Sequence, residues 1–330
     1  MRSPVGEQPA AAFPAALRVA YQPLNGMESL PAGVLAAVRF GARKAAANGA
    51  ATVPLTIDVG LDPLQGPPLA ELWFADGPVH TGQSGIVRYA HDRHYLFAVI
   101  ELDEREHGGI LPTAEVVYAA MCEFQAQSAF PHLLRIWNYL DAINEGDGDL
   151  ERYRQFCVGR VQGMGGVTHG FPSATAIGRQ RGDHKLQVFW LAAKVAGKAV
   201  ENPRQVSAYH YPRVHGPVSP SFSRALVAPD STVLISGTAS IVGHVSQHHD
   251  DAMEQLEETV RNLTAFNPHA SGSRTTASKD LLKVYVRDPA LTHSIAERLR
   301  QLYPNSEMLF VAADVCRREL LLEIEAVLTS

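Results

Sequence analysis

Leu133-Leu134-Arg135-Ile136-Trp137 and, 148 positions further on, Leu281-Leu282-Lys283-Val284-Tyr285 repeat one pattern: two leucines, a cation, a β-branched residue and an aromatic. Each has the composition of a strand. Ahead of each lies a helical stretch, Ala114 to Gln127 (AEVVYAAMCEFQAQ) in the first half and Asp250 to Leu263 (DDAMEQLEETVRNL), with its acidic first turn, in the second. Further upstream, Val87 to Leu102 and Arg224 to Gly237 both read as strand, turn, strand, with turn aspartates Asp92 and Asp230 offset by 138. Two copies of one strand-strand-helix-strand unit follow, an α/β (α+β) architecture in pseudo-repeat. Phe156 to Val161 and Leu186 to Val195 are expected as further strands of the first copy. The expected division is a flexible lead over 1–15, an N-terminal domain over 16–204 and a C-terminal domain over 205–330.

With 330 residues the chain is long enough for two cores. Its 29 Lys and Arg against 34 Asp and Glu give a net charge of -5, which argues against nucleic acid as the main partner. Three cysteines, Cys122, Cys157 and Cys316, show no CxxC spacing, so neither a disulfide framework nor a zinc site is indicated and a reducing cytoplasm fits best. Prolines at 4, 9 and 14 interrupt any signal-peptide core, and no apolar run reaches membrane-spanning length.

Chemistry concentrates in two places. Arg204 to Ala225 (RQVSAYHYPRVHGPVSPSFSRA) is stiffened by Pro212, Pro217 and Pro220, while Tyr209, Tyr211, Arg213, Ser221 and Arg224 supply donors suited to a carboxylate. The competing interpretation is an exposed linker. The terminal stretch Cys316 to Ser330 (CRRELLLEIEAVLTS), as a strand, puts Leu320, Leu322, Ile324 and Ala326 on one face and Glu319, Leu321, Glu323 and Glu325 on the other. Carboxylates crowded on one face repel, so unless water covers them at least one holds its proton at neutral pH and is able to act as an acid. Gly163 to Gly178 is glycine-dense but lacks the spacing of a nucleotide cradle, and is expected to be a loop whose backbone approaches a strand or small ligand. His248-His249-Asp250-Asp251 suits a helix start better than a metal site. His91, Asp92 and His94 are expected to be solvated.

The runs Gly216-Pro217-Val218-Ser219-Pro220-Ser221-Phe222-Ser223-Arg224-Ala225 and Phe171-Pro172-Ser173-Ala174-Thr175-Ala176-Ile177-Gly178, with Arg135 to Tyr139 and Arg152 to Arg160, resemble the chorismatase family over roughly residues 130 to 330. That family resembles the YjgF-like reactive-intermediate deaminases, and Ser236-Gly237-Thr238-Ala239, the helix through Gln255 and Asn262, and the closing Glu323 to Ala326 are similar to that fold's strand, helix and terminal strand. The resemblance implies removal of the enolpyruvyl group of chorismate as pyruvate, with no metal or organic cofactor.

By position, the resemblance makes Glu323 the catalytic acid and Cys316 a selector of product, characteristic of the hydroxybenzoate-forming subfamilies. The expected product is 3-hydroxybenzoate, with room for 4-hydroxybenzoate as a second. It also implies a dianionic substrate held by Arg160, Arg213, Arg224 and Arg317 or Arg318, together with Tyr209, Tyr211 and Gly237. Glu319 and Glu325 keep the solvated expectation. Two alternatives stay open: an enamine or imine deaminase, and a non-catalytic ligand-binding module. Deaminase-like folds associate as rings with sites between units, so a homo-oligomer is one expected arrangement and duplication within the chain another. The pocket is expected between the copies.

Overall fold

The computed structural model describes residues 17–24, 30–41, 54–165, 170–266 and 280–329. The expected lead over 1–15 lies outside them. Among the described residues four α-helices, α1 (Ile110–Gln127), α2 (Arg152–Gly163), α3 (Ala252–Thr264) and α4 (Thr292–Leu302), accompany three main sheets.

The second sheet runs Asp314–Val315, Ser173–Arg179, His132–Asp141, Lys185–Ala193, Tyr95–Asp103, Val87–His91 and His80–Ser84. The third runs Lys198–Val200, Ala225–Val227, Val233–Thr238, Leu322–Leu328, Leu281–Val286 and Glu307–Ala312. Stripped of edge strands, both follow one permutation. The strand bearing the leucine-leucine-cation echo pairs in parallel with the strand after the next helix and antiparallel with the last strand of its unit, which pairs with the second. The duplicated unit is therefore longer than the echo indicates: strand, strand, helix, strand, helix, strand, strand. The echo positions coincide, so Arg135 and Lys283 are structural equivalents. The turn aspartates also match, with Asp92 accepting from the backbone of His94 and Tyr95 and Asp230 from Thr232. Asp92 is buried, correcting the solvated expectation: its two oxygens satisfy three backbone amides, which outweighs hydration.

Two local expectations fail for identifiable reasons. Phe156 to Val161 lies inside α2, where Phe156, Cys157 and Arg160 recur at helical spacing on the buried face. Gly159 and Gly163 let α2 close on α1, since a Cβ there would lie 2.1 Å from the Leu111 carbonyl oxygen and 2.4 Å from that of Glu115. The glycine-dense stretch is a loop only in part, because Ser173–Arg179 is a strand.

The first sheet has the order Arg18–Pro23, Leu69–Phe74, Val34–Phe40, Leu55–Asp58. Its inward residues, including Leu35, Val38, Phe40 and Trp73, share one core with Phe97, Trp137 and Phe189 of the second sheet and Leu234, Leu281 and Tyr285 of the third. Three sheets thus face one another around a common centre. A separate cluster fills the space between the third sheet and its helices, and there Leu322, Ile324 and Ala326 are buried as the alternation requires. Lys198–Val200 pairs with Ala225–Val227, so the third sheet takes a strand from ahead of the expected boundary at 204/205. Among the described residues no helix is long and apolar enough to cross a membrane.

Candidate active site

The second and third sheets meet along a seam. Ala174 N donates to Ser236 Oγ at 2.9 Å, Gly237 N to Thr175 Oγ1 at 2.9 Å, and Ser223 N to the Pro172 carbonyl at 3.0 Å. The two motif runs therefore lie side by side: FPSATAIG supplies one lip and SFSRA the other. Asp314–Val315 crosses back to pair with Gly178 and Ile177, so the residues after it roof the seam. Arg287 ties that roof down, donating to the carbonyls of Leu320, Val315 and Arg317 and to Asp314. Beneath it is a cavity of about 350 Å³, in the range of small-molecule sites.

Glu323 and Cys316 line this cavity, as do Arg160, Tyr211, Arg224, Gly237, Arg317 and Arg318, so both terminal arginines face it. Two of the expected binding residues do not. Arg213 pairs with Asp149 on the surface, and Tyr209 packs against Phe171 and His210. Arg213 is thus turned to solvent and Tyr209 into the core cluster beside the first pair of helices, while Tyr211 points in, accepting from Arg224 Nη2 at 2.6 Å.

The two strand glutamates are both buried, which corrects the expectation that Glu325 faces solvent. Their fates diverge. Burial alone would raise the pKa of Glu325, but Lys283 at 2.9 Å and Arg135 at 2.8 Å overturn it and leave the carboxyl at about 2. Trp137 Nε1 donates to it as well. Glu323 has no such clamp. Burial pushes it from 4.5 to about 8 and Glu325 adds to the rise, against Arg135 and Arg224. A neutral acid therefore faces the cavity at neutral pH. Gly237 makes room for it: a Cβ there would lie 1.8 Å from Glu323 Oε1.

Cations line the rest of the cavity. Arg160 Nη2 donates to the Ser221 carbonyl at 2.6 Å, and Arg224 Nη2 also donates to the Val206 carbonyl; the Nε of each is buried without a partner. Orphaned guanidinium donors beside a cavity suit an anionic ligand. Arg317 is held by the His244 carbonyl and Ser246 Oγ. The Cys316 thiol is pushed up by burial and stays neutral, a small wall rather than a nucleophile. Glu319, expected in solvent, is half-buried at the cavity edge and accepts from Ser246 Oγ at 2.7 Å.

Residues not assigned to the site from the sequence complete it. Thr175 Oγ1 joins Gly237 N to Arg135 Nη2, and His215 lines the rim with its Nε2 3.0 Å from His244 Nδ1. Burial, aided by Arg317, pushes His215 down to about 4, so it is neutral. The signal for Arg135 and Lys283 was present in the echo itself, as a cation in mid-strand among apolar neighbours.

Comparison with known proteins places the chain among relatives. Residues 71–192 match the family described as chorismatase FkbO/Hyg5-like, N-terminal. The chain is 32% identical over 281 residues to a 3-hydroxybenzoate synthase of Streptomyces hygroscopicus, covering 79% of this chain and 81% of that protein. It is 35% identical over 279 residues to a chorismatase of Streptomyces rapamycinicus, covering 78% and 81%. A chorismatase crystal structure at 1.08 Å resolution superposes with a TM-score of 0.79 at 28% identity, covering 95% of this chain and 98% of that one.

Proposed function

The chain belongs to the chorismatase family, and from that premise we propose that it removes the enolpyruvyl group of chorismate as pyruvate, forming 3-hydroxybenzoate with room for 4-hydroxybenzoate. Glu323 donates its proton to the terminal methylene of the vinyl ether, which places positive charge on the ether carbon. The carboxylate left behind stabilises that charge. The ring carbon–oxygen bond then breaks, its electrons going to the departing pyruvate. The neighbouring ring hydroxyl takes the vacated position, giving an epoxide and returning a proton to Glu323. Opening and loss of a ring proton aromatise the product, so hydroxybenzoate plus pyruvate balances chorismate without net water. The non-aromatic diol would consume one.

Arg160 and Arg224 bind the substrate's carboxylates, with Arg317 and Arg318 at the roof, and Tyr211 orients Arg224. Gly237 gives the acid its place. Cys316 fills the space that a hydrolytic water needs, which favours the internal hydroxyl. The observation that carries this function is the buried, unclamped Glu323 in a cavity bearing unpartnered arginine donors. We place the working division of the chain at the change from second to third sheet, near residue 197, rather than at 204/205.

Incubation of the purified protein with chorismate, following pyruvate and aromatic product, tests the proposal. Pyruvate release with hydroxybenzoate supports it. Tight binding without turnover indicates a ligand-binding module, and ammonia from an enamine substrate with chorismate untouched indicates a deaminase.

A further inference from the structure

Around Glu325 lies a line of buried charges that spans all three sheets. Glu71 of the first sheet contacts Lys283 at 2.8 Å, Lys283 contacts Glu325 at 2.9 Å, and Glu325 contacts Arg135 of the second sheet at 2.8 Å. All four side chains are nearly inaccessible, Lys283 at 1%. Two carboxylates and two cations balance. Replacing such a line by well-packed apolar residues is often neutral or stabilising, so its presence is weak evidence of a stabilising role and leaves room for a functional one.

The internal repeat sharpens the point. Lys283 pairs across the strands with Glu325 and Tyr285 with Glu323; in the first copy, Arg135 pairs with Leu191 and Trp137 with Phe189. The first copy thus manages with Leu191 and Phe189 where the second carries two buried glutamates. Glu323 and Glu325 sit two positions apart on one strand, about 7 Å between Cα atoms. The other titratable or charged groups facing Glu323 are Arg135 from the second sheet, Arg224 from the seam, Tyr285 from the adjacent strand, Tyr153 from α2 and Cys316 from the roof. Tyr285 is held neutral in a hydrogen bond with Tyr139. Glu325 is therefore the fixed negative charge next to the acid.

We propose that Glu325 is a positioning residue: clamped as an anion by Lys283 and Arg135, it keeps the neighbouring Glu323 carboxyl protonated in the resting site, and Glu71 of the first sheet shares in that control by balancing Lys283. The first sheet, which contributes no cavity wall, thereby acts on the chemistry. The inference rests on the acid role of Glu323.

The test is the pH dependence of kcat/KM for pyruvate release from chorismate, which reports the free enzyme. The wild type is expected to show an alkaline limb near 8, where Glu323 loses its proton. Glu325→Gln removes a charge about 7 Å away and moves the limb down by about one to two pH units at an effective dielectric of about 20. Glu71→Gln, more remote, moves it the same way by less, and Glu325→Asp, which keeps the charge, restores the wild-type limb. A purely structural role would lower the rate at every pH without moving the limb. A limb unmoved in Glu325→Gln, or moved upward, overturns the proposal, and if that variant does not fold, Glu71→Gln decides in the same terms. Glu323→Gln separates the two claims. If it retains full rate, the acid assignment fails; if it is inactive while the limbs stay fixed, only the role of Glu325 fails.

Discussion

Glu323→Gln should make the protein more stable as it makes it inactive. A carboxyl whose folded pKa is raised, here from 4.5 to about 8, contributes stability that is present in full below the unfolded value and is lost as pH rises through the folded one. Between about pH 4.5 and pH 7 the unfolded chain ionises this group while the folded chain does not, so the wild type gives up about 3 kcal/mol over that window. Glutamine cannot ionise and suffers no such loss. Water admitted to the cavity screens the carboxylate, which makes about 3 kcal/mol the ceiling. All other groups titrate alike in the two proteins and cancel. Urea unfolding near pH 5 and near pH 7 is the assay, and the expected result is a midpoint difference in favour of the variant that widens with pH. Parallel stability curves would refute the buried, neutral acid, and a difference widening toward acid pH would mean that Glu323 is an ion pair in the folded state.

Three further outcomes follow from the same geometry. Gly237→Ala drives a methyl group into Glu323 Oε1, so pyruvate release should fall by about 10²-fold or more while the unfolding free energy from urea titration drops by only about 1–3 kcal/mol. Arg224→Lys loses the planar contact with Tyr211 and the unpartnered Nε donor, and steady-state kinetics should show KM for chorismate rising by about tenfold or more with a smaller change in kcat. Cys316→Ala opens space under the roof for water, and chromatography of the products should show a shift from hydroxybenzoate toward the non-aromatic diol; an unchanged product ratio would remove Cys316 from the selection.

How much of this was legible in the sequence depends on how local each signal is. The repeat could be read because strand alternation, helix composition and the turn aspartates are short-range patterns, and Leu281–Val286 begins and ends where its apolar run does. The first sheet was not legible: Val34–Phe40 (VLAAVRF) carries alanines that suit helix and strand alike, and its partners come from distant segments. Phe156 to Val161 misled because a short apolar run has no period of its own. The terminal stretch gave the two faces of Leu322–Leu328 correctly, but Cys316 to Leu321 precede the strand and Leu320 packs in a separate cluster, and the burial of Glu325 was not legible, since its counter-charge Arg135 lies 190 positions away. Likewise the arginines of Arg204 to Ala225 were equivalent by type, and only the folded chain separates Arg224, next to the strand Ala225–Val227 and in the cavity, from Arg213, paired with Asp149 on the surface.

The central claim is that a neutral Glu323 carboxyl delivers the proton that releases pyruvate. Single-turnover release of pyruvate from bound chorismate, compared between wild type and Glu323→Gln with substrate binding measured on both, tests it most directly. Binding should persist while the rate falls by about 10²–10⁴-fold or more, the contribution of a positioned general acid. A Glu323→Gln protein that binds chorismate and releases pyruvate at the wild-type rate would contradict it.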